Sequence, residues 1–332
     1  MPMLIHFFGA SVTAQGYHHS TGQASGYYPY IQEYYAKMHP EYQIVRTSAG
    51  SSHFNDAGFC LLDEVLQTAP NIVVFDWHST SLQSFDPILF DEAVSKVVAS
   101  GAQLLLVIFP RKSSVGSHMQ RECIKQAYQA TGNFVHILDL YEESAVVDAI
   151  DDILRDECHT TQIGAKVYSD IVIAKLEDLL TAQPKASLVR RGHESLIPVS
   201  KLTIANDYAQ FSRITFTIGR RSCSRGATLV LDHKVGPYSP VVEVRTSKGY
   251  LKSHSFWDSY CYYERQSFLA LPGRHGLNDP DPLSLWLSIS DETPKYEQSR
   301  NQEYDFSLIS SRYMRIKSVY CIGGELLSTN QS

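Results

Sequence analysis

The sequence lacks a CxxC pair: its six cysteines, Cys60, Cys123, Cys158, Cys223, Cys261 and Cys321, are scattered without regular spacing. That excludes a ribbon- or finger-type zinc site and a disulfide scaffold, and reduced, mostly buried thiols are expected. A long apolar run is also missing. Residues 1–8 carry no basic region and too few apolar residues for a signal peptide, and no stretch elsewhere is long enough to span a bilayer, so a cytoplasmic protein is expected. A basic surplus is absent as well. With 29 Lys and Arg against 35 Asp and Glu, the net charge is −6. A surface of that sign repels phosphate backbones and acidic lipids, which leaves a neutral or polar small partner as the expectation.

What is present is an ordinary globular composition, 43% hydrophobic and 19% charged, in 332 residues. This length suggests two domains, each able to bury a core. Up to about residue 180, short apolar runs at 4–8, 42–45, 72–75, 104–109 and 134–138 alternate with amphipathic stretches near 27–38, 54–67, 87–99, 117–130 and 161–180. Strands alternating with helices make a parallel sheet with crossover helices, here a five-stranded three-layer α/β/α sandwich over residues 1–182. Residues 183–200, containing Pro184, Gly192 and Pro198, read as a linker. Residues 201–332 change to short segments rich in β-branched and aromatic residues at 212–218, 227–231, 241–245, 284–289 and 313–321, which predicts a β-sandwich.

The first apolar run ends in Phe8-Gly9-Ala10-Ser11, which places Ser11 in the first strand-to-helix loop. Open α/β sheets bind their ligands in the crevice beyond the carboxyl ends of the strands. About 145 residues later stands Asp156-Glu157-Cys158-His159, just before the last helix of this half. Asp-x-x-His lets one loop supply an imidazole and the carboxylate that orients it, and a serine hydroxyl needs both to become a nucleophile. Each residue has a bland alternative: Ser11 in a plain turn, His159 at a helix entrance, Asp156 a solvated acid. Their joint presence at the two ends of one α/β unit favours nucleophile, base and orienting acid.

A strand-end Gly-x-Ser followed by a late Asp-x-x-His resembles the SGNH hydrolases, also called GDSL-type esterases and lipases. The resemblance covers roughly residues 3–180. It implies a five-stranded flavodoxin-like α/β/α fold, attack of Ser11 on an ester carbonyl, and resolution of the acyl-enzyme by water or an alcohol acceptor. It further implies an oxyanion hole built from the Ser11 amide, the Gly50 amide in Ser48-Ala49-Gly50-Ser51-Ser52, and a third donor after the third strand. The family has asparagine in that third place. Here the region reads Phe75-Asp76-Trp77-His78-Ser79-Thr80, so Ser79 is the first candidate, then His78, then Asn55. The family's aspartate after the first glycine is replaced by Ala10. A side-chain contact that supports the nucleophile loop is therefore expected to be missing.

His18, His19, His53 and His78 match no tight ligand spacing, and no metal is expected. The cluster Tyr27, Tyr28, Tyr30, Tyr34 and Tyr35 lies at helical spacing, which favours core or rim packing over a sugar platform. Trp257, Tyr260, Tyr262 and Tyr263 leave both readings open. The leading functional expectation is a cofactor-free acyl-ester hydrolase, a carbohydrate acetylesterase or other deacylase, acting on a small-molecule or glycan ester. One alternative is an O-acyltransferase for a polysaccharide or glycan precursor, with acetyl-CoA as a possible donor. The other, motivated by Ala10 and the missing asparagine, is a catalytically degenerate carbohydrate-binding or assembly protein.

Overall fold

The computed structural model describes residues 2–17, 21–77, 86–112, 124, 128, 134–182, 197–220, 227–236, 239–249, 251–256, 264–271, 282–291 and 313–331. The chain divides into two compact units, Met1–Ser195 and Leu196–Ser332. Most of the expected linker 183–200, the expected helix 117–130 and Trp257, Tyr260, Tyr262 and Tyr263 lie outside the described residues.

The first unit is built on a parallel sheet of β1 (Leu4–Gly9), β2 (Gln43–Ser48), β3 (Ile72–Phe75), β4 (Gln103–Ile108) and β5 (Val135–Asp139), in the order β2-β1-β3-β4-β5. This is the flavodoxin-like order, whose topological switch point falls between β1 and β3. β1 and β3 are buried on both faces, which is why they read as unbroken apolar runs rather than alternating ones. Ile5 and Phe7 face one side of the sheet. There they pack with Tyr27, Ile31, Tyr35, Tyr168, Val172 and Leu176. Phe8 faces the other, against Phe75 (ring centroids 5.7 Å apart) and Trp77 (5.4 Å).

The helices are α1 (Ser11–Ala14), α2 (Tyr27–Met38), α3 (Phe59–Gln67), α4 (Pro87–Ala99), the short turns α5 (Ser144–Val147) and α6 (Ile150–Ile153), and α7 (Gln162–Thr181). Three of the tyrosines of α2 are core, Tyr27 and Tyr35 fully buried and Tyr28 nearly so, while Tyr30 and Tyr34 are half-buried. The single helix expected over 54–67 is two elements, because its first turn, Phe54–Gly58, is π-helical before α3 begins. Asp86 starts α4 by accepting from the Ile88 and Leu89 amides, with Pro87 at the first helical position.

The second unit contains two antiparallel sheets. One is ordered β11-β10-β13-β8-β15 and the other β12-β9-β14-β6, with β7 also paired to β14. Their residues are β6 (Val199–Thr203), β7 (Ala209–Phe211), β8 (Arg213–Arg220), β9 (Thr228–Val235), β10 (Val241–Thr246), β11 (Leu251–Ser255), β12 (Arg265–Leu271), β13 (Leu283–Ile289), β14 (Met314–Ile322) and β15 (Gly324–Gln331). Phe216, Leu229, Leu231, Val242, Val244, Leu285, Leu287, Ile316 and Cys321 fill the core of this β-sandwich. Five of the ten strands among the described residues match runs legible in sequence. β6 starts at Val199, within the stretch expected as linker, and β7, β11, β12 and β15 were not anticipated. Cys60, Cys158 and Cys321, the cysteines among the described residues, are buried. No described helix is long and apolar enough to cross a membrane.

Gly164 in the first turn of α7 lies where a Cβ would sit 2.0 Å from the Ile153 carbonyl oxygen. Although alanine is the better helix former, Gly164→Ala is expected to destabilise the first unit by about 1–3 kcal/mol through overpacking, measured by urea denaturation.

Candidate active site

β1 ends at Gly9 beside Ser48 of β2, and the Asp76 amide donates to the Phe8 carbonyl (3.2 Å), so three strands release their loops at one level. Ser11 emerges at the switch point as the first residue of α1, partly exposed, between buried Ala10 and Val12. The Ala49 amide donates to the Gly9 carbonyl (3.2 Å), which brings the Gly50 turn alongside the loop that carries Ser11. A Cβ at Gly50 would meet nothing within 4 Å, so that side of the turn is open. The following Ser51 adopts a left-handed φ of 53°, an unfavourable conformation of the kind that concentrates at functional loops.

Asp76, just past β3, holds this loop. Its carboxylate accepts from the Ala10 amide (2.9 Å) and from the Thr13 hydroxyl (2.7 Å), and Thr13 in turn lies 2.6 Å from the Tyr27 hydroxyl. Since Thr13 has one hydroxyl proton and gives it to Asp76, Tyr27 must be the donor to Thr13. Gly9 makes the approach possible, because a Cβ there would sit 1.6 Å from an Asp76 oxygen. The expected loss of a supporting carboxylate at Ala10 is thus corrected: the support arrives from the neighbouring strand. Complete burial pushes the Asp76 carboxyl up to about 6, with the hydrogen bonds from Thr13 and Ala10 pulling the other way.

The base loop runs from Leu154 to Thr160, which pair as an isolated bridge. Both oxygens of Asp156 approach His159 Nδ1, at 2.9 and 3.1 Å, and Oδ1 also accepts from the backbone amides of His159 (3.0 Å) and Cys158 (3.2 Å). Burial opposes ionisation of Asp156. The amides of His159 and Cys158 and the charge and hydrogen bond of the His159 ring outweigh it, and the carboxyl lies below its ordinary value. With Nδ1–H pointed at a carboxylate, Nε2 is the nitrogen left to take a proton.

The two loops are joined. Gln15, the residue after α1, accepts through Oε1 from the Thr160 amide (3.2 Å), and Thr160 follows His159 directly. Arg46 of β2 donates to the carbonyls of Thr13, Ala14 and Gln15 at 3.0–3.3 Å and stacks its guanidinium on Tyr28 (4.6 Å), closing the C-terminal end of α1. Neither Asp76 nor Gln15 was singled out from sequence as supporting the site.

Of the other expected residues, Ser79 and His78 lie outside the described residues, as do His18 and His19. Asn55 spends its carboxamide oxygen on the Asp86 amide (3.0 Å). His53 faces Asp56 in a reciprocal cap of the π-helical turn. Donor atoms of Asp156, Cys158 and His159 lie within 4.8 Å of one another, a spacing a metal ion could use. Burial pushes the Cys158 thiol up to about 11, however, and His159 Nδ1 already has its carboxylate partner.

No family model and no curated sequence matches the chain. Among solved structures, a two-domain esterase (CEX) active on acetylated mannans superposes with a TM-score of 0.64 at 12% identity, covering 98% of this chain and 92% of that one. The chain shares the fold of a two-domain esterase. Co-crystallised with mannopentaose, that esterase matches with a TM-score of 0.61, again at 12% identity, covering 98% of this chain and 91% of that one. An acetyl xylan esterase, AlAXEase, matches 52% of this chain over 100% of its own length at 18% identity, with a TM-score of 0.43. The first unit is a three-layer α/β/α fold and the second an antiparallel sandwich, the two-domain fold that this likeness shows.

Two outcomes test the geometry of the loop that carries Ser11. Gly9→Ala should expel the Asp76 carboxylate and unfold or misplace the loop, seen as loss of the Thr13 and Ala10 protection in hydrogen exchange. Asp76→Asn keeps an acceptor for Ala10 and turns its other end into a donor to Thr13. Because the folded value of Asp76, about 6, lies above its unfolded value of 3.8, native Asp76 holds its proton longer than the unfolded chain does. Stability of the wild type relative to Asp76→Asn should therefore fall as pH rises from about 4 to about 6 and level off above, read by urea titration across that range. A pH-independent difference would show that this carboxyl does not titrate there.

Proposed function

We propose that the protein is a serine-dependent acyl-ester hydrolase of the carbohydrate acetylesterase type, with residues 1–182 catalytic and residues 201–332 an accessory β domain. The observation that carries this reading is the two-point hydrogen bond of Asp156 to His159 Nδ1, in a loop tied by hydrogen bonds to the segment that begins with Ser11. The shared fold with an esterase active on acetylated mannans supports an acetylated glycan as substrate.

In this mechanism Ser11 Oγ attacks the ester carbonyl while His159 Nε2 takes its proton, and Asp156 stabilises the imidazolium that forms. The tetrahedral oxyanion falls between the amides of Ser11 and Gly50, each worth a few kcal/mol when preorganised. Ser79, which follows β3 in sequence, is the proposed third donor. His159 returns the proton to the departing sugar hydroxyl, leaving an acyl-serine. Water, deprotonated by His159, then attacks the acyl carbon and releases the acid and Ser11. No step calls for a cofactor.

The test is labelling with a fluorophosphonate, read by peptide mass spectrometry, together with release of acetate from acetylated manno- and xylo-oligosaccharides. Ser11 should be the labelled residue, and Ser11→Ala and His159→Ala should abolish both signals. Asp156→Asn should retain the fold and lose on the order of a thousandfold in kcat, since the carboxamide stabilises neither the tautomer nor the charge of His159. A folded protein whose Ser11 does not react would overturn the assignment.

A further inference from the structure

The nucleophile and the base belong to segments 145 residues apart that could each be well formed and yet sit at the wrong separation. In the first unit their separation is bridged by one buried side chain. α1 is a single turn, closed by the Gln15 amide donating to the Ser11 carbonyl (3.1 Å), so the Gln15 side chain leaves the backbone one turn below the nucleophile. Its Oε1 accepts from the Thr160 amide at 3.2 Å and lies 3.3 Å from the Thr160 hydroxyl, while its Nε2 donates to the Ser25 carbonyl at 3.1 Å. The Thr160 hydroxyl has a closer acceptor in that same Ser25 carbonyl, at 2.7 Å, so its proton goes there and the amide is the firm donor to Gln15. Three residues from three segments thus form a closed ring of hydrogen bonds.

The ring is shielded and rigidly footed. Gln15 is 8% exposed and Thr160 1%, so the bonds are not exchanged with water. Ser25 is itself fixed, since its amide and hydroxyl both donate to the Gly16 carbonyl, at 2.8 and 3.1 Å. Gly26 gives Gln15 its room, because a Cβ there would lie 2.3 Å from the Gln15 carbonyl oxygen. On the other side, Thr160 is the foot of the base loop: it bridges Leu154, and the Arg155 amide donates to the His159 carbonyl (2.9 Å) just above it. A shift of Thr160 therefore carries His159 with it.

We propose that Gln15 is a positioning residue that sets the separation of Ser11 from His159, with Thr160 as its counterpart. This rests on the hydrolase reading above. A glutamine suits the task because its carboxamide presents an acceptor to one backbone and a donor to another at a fixed span. Methionine would fill the same volume without either bond.

The experiment compares the full-length wild type with Gln15→Met, Thr160→Val, Thr160→Ser and the double variant Gln15→Met/Thr160→Val. It reads the rate of Ser11 fluorophosphonate labelling together with kcat and KM on an acetyl ester. Gln15→Met is expected to slow both labelling and kcat about tenfold or more while KM stays within about twofold, because misplacement by a fraction of an ångström acts on the reacting geometry and not on binding. Thr160→Val should show a smaller loss of the same kind, and Thr160→Ser, which keeps the hydroxyl, should retain the wild-type rate. The double variant should be no slower than Gln15→Met, because both changes open one ring. Should Gln15→Met fail to fold, the two Thr160 variants carry the comparison. A wild type that labels at Ser11 while Gln15→Met labels equally fast, or a loss confined to KM, or a Thr160→Ser as slow as Thr160→Val, overturns the positioning role and leaves the hydrolase reading intact. A wild type that does not label at all removes the hydrolase reading, and the positioning role with it.

Discussion

A carboxylate buried at the switch point of the sheet governs the geometry around it. Asp76 leaves β3 and reaches across to the loop after β1, where it binds one backbone amide and one hydroxyl of the turn that carries Ser11. Burying a charge is costly unless it is paired with donors, and here the donors are the loop itself. Satisfying the carboxylate and shaping the loop are therefore a single requirement. It extends outward through Thr13 to Tyr27 of α2, and it demands glycine at position 9. Packing follows the same centre: Phe8 and Trp77, immediate neighbours of these residues, meet on the opposite face of the sheet from Tyr27.

The base loop obeys a similar economy. Asp156 receives two backbone amides in addition to the imidazole, so its ionised form is stabilised by its own loop before any substrate arrives. The two carboxylates of the site are thereby separated in character. Asp76 is held up by burial and serves the backbone, while Asp156 is held down by donors and serves the imidazole.

Much of the first unit was legible because its central strands β1, β3 and β4 are buried on both faces and its helix α4 has a strong start signal. The run 72–75 is β3, residue for residue, and Asp86-Pro87 marks the start of α4. The pairing of Asp156 with His159 was visible because side-chain chemistry and spacing coincide there. Asp76 and Gln15 were not, since a loop acid and a loop amide carry no periodicity, and their roles exist only once distant strands are adjacent. In the sandwich, β11 (LKSHS) and the second half of β15 (STNQ) are polar, and among the described residues β11 pairs only with β10, at a sheet edge, so neither alternation nor apolar density announces them. The π-helical turn at Phe54–Gly58 hid in an otherwise helical pattern for the opposite reason: its apolar residues suit either winding.

The 145-residue span between Gln15 and Thr160 also bears on how the protein comes into being. Ser11 is made long before Thr160, and the residue that closes the ring with Gln15 follows only after all five parallel strands have been made. Loop closure over such a distance is slow and comes late in folding. A nascent chain therefore carries the Ser11 loop without its tie to the His159 loop, and the spacing of the two arises only as a property of the finished unit.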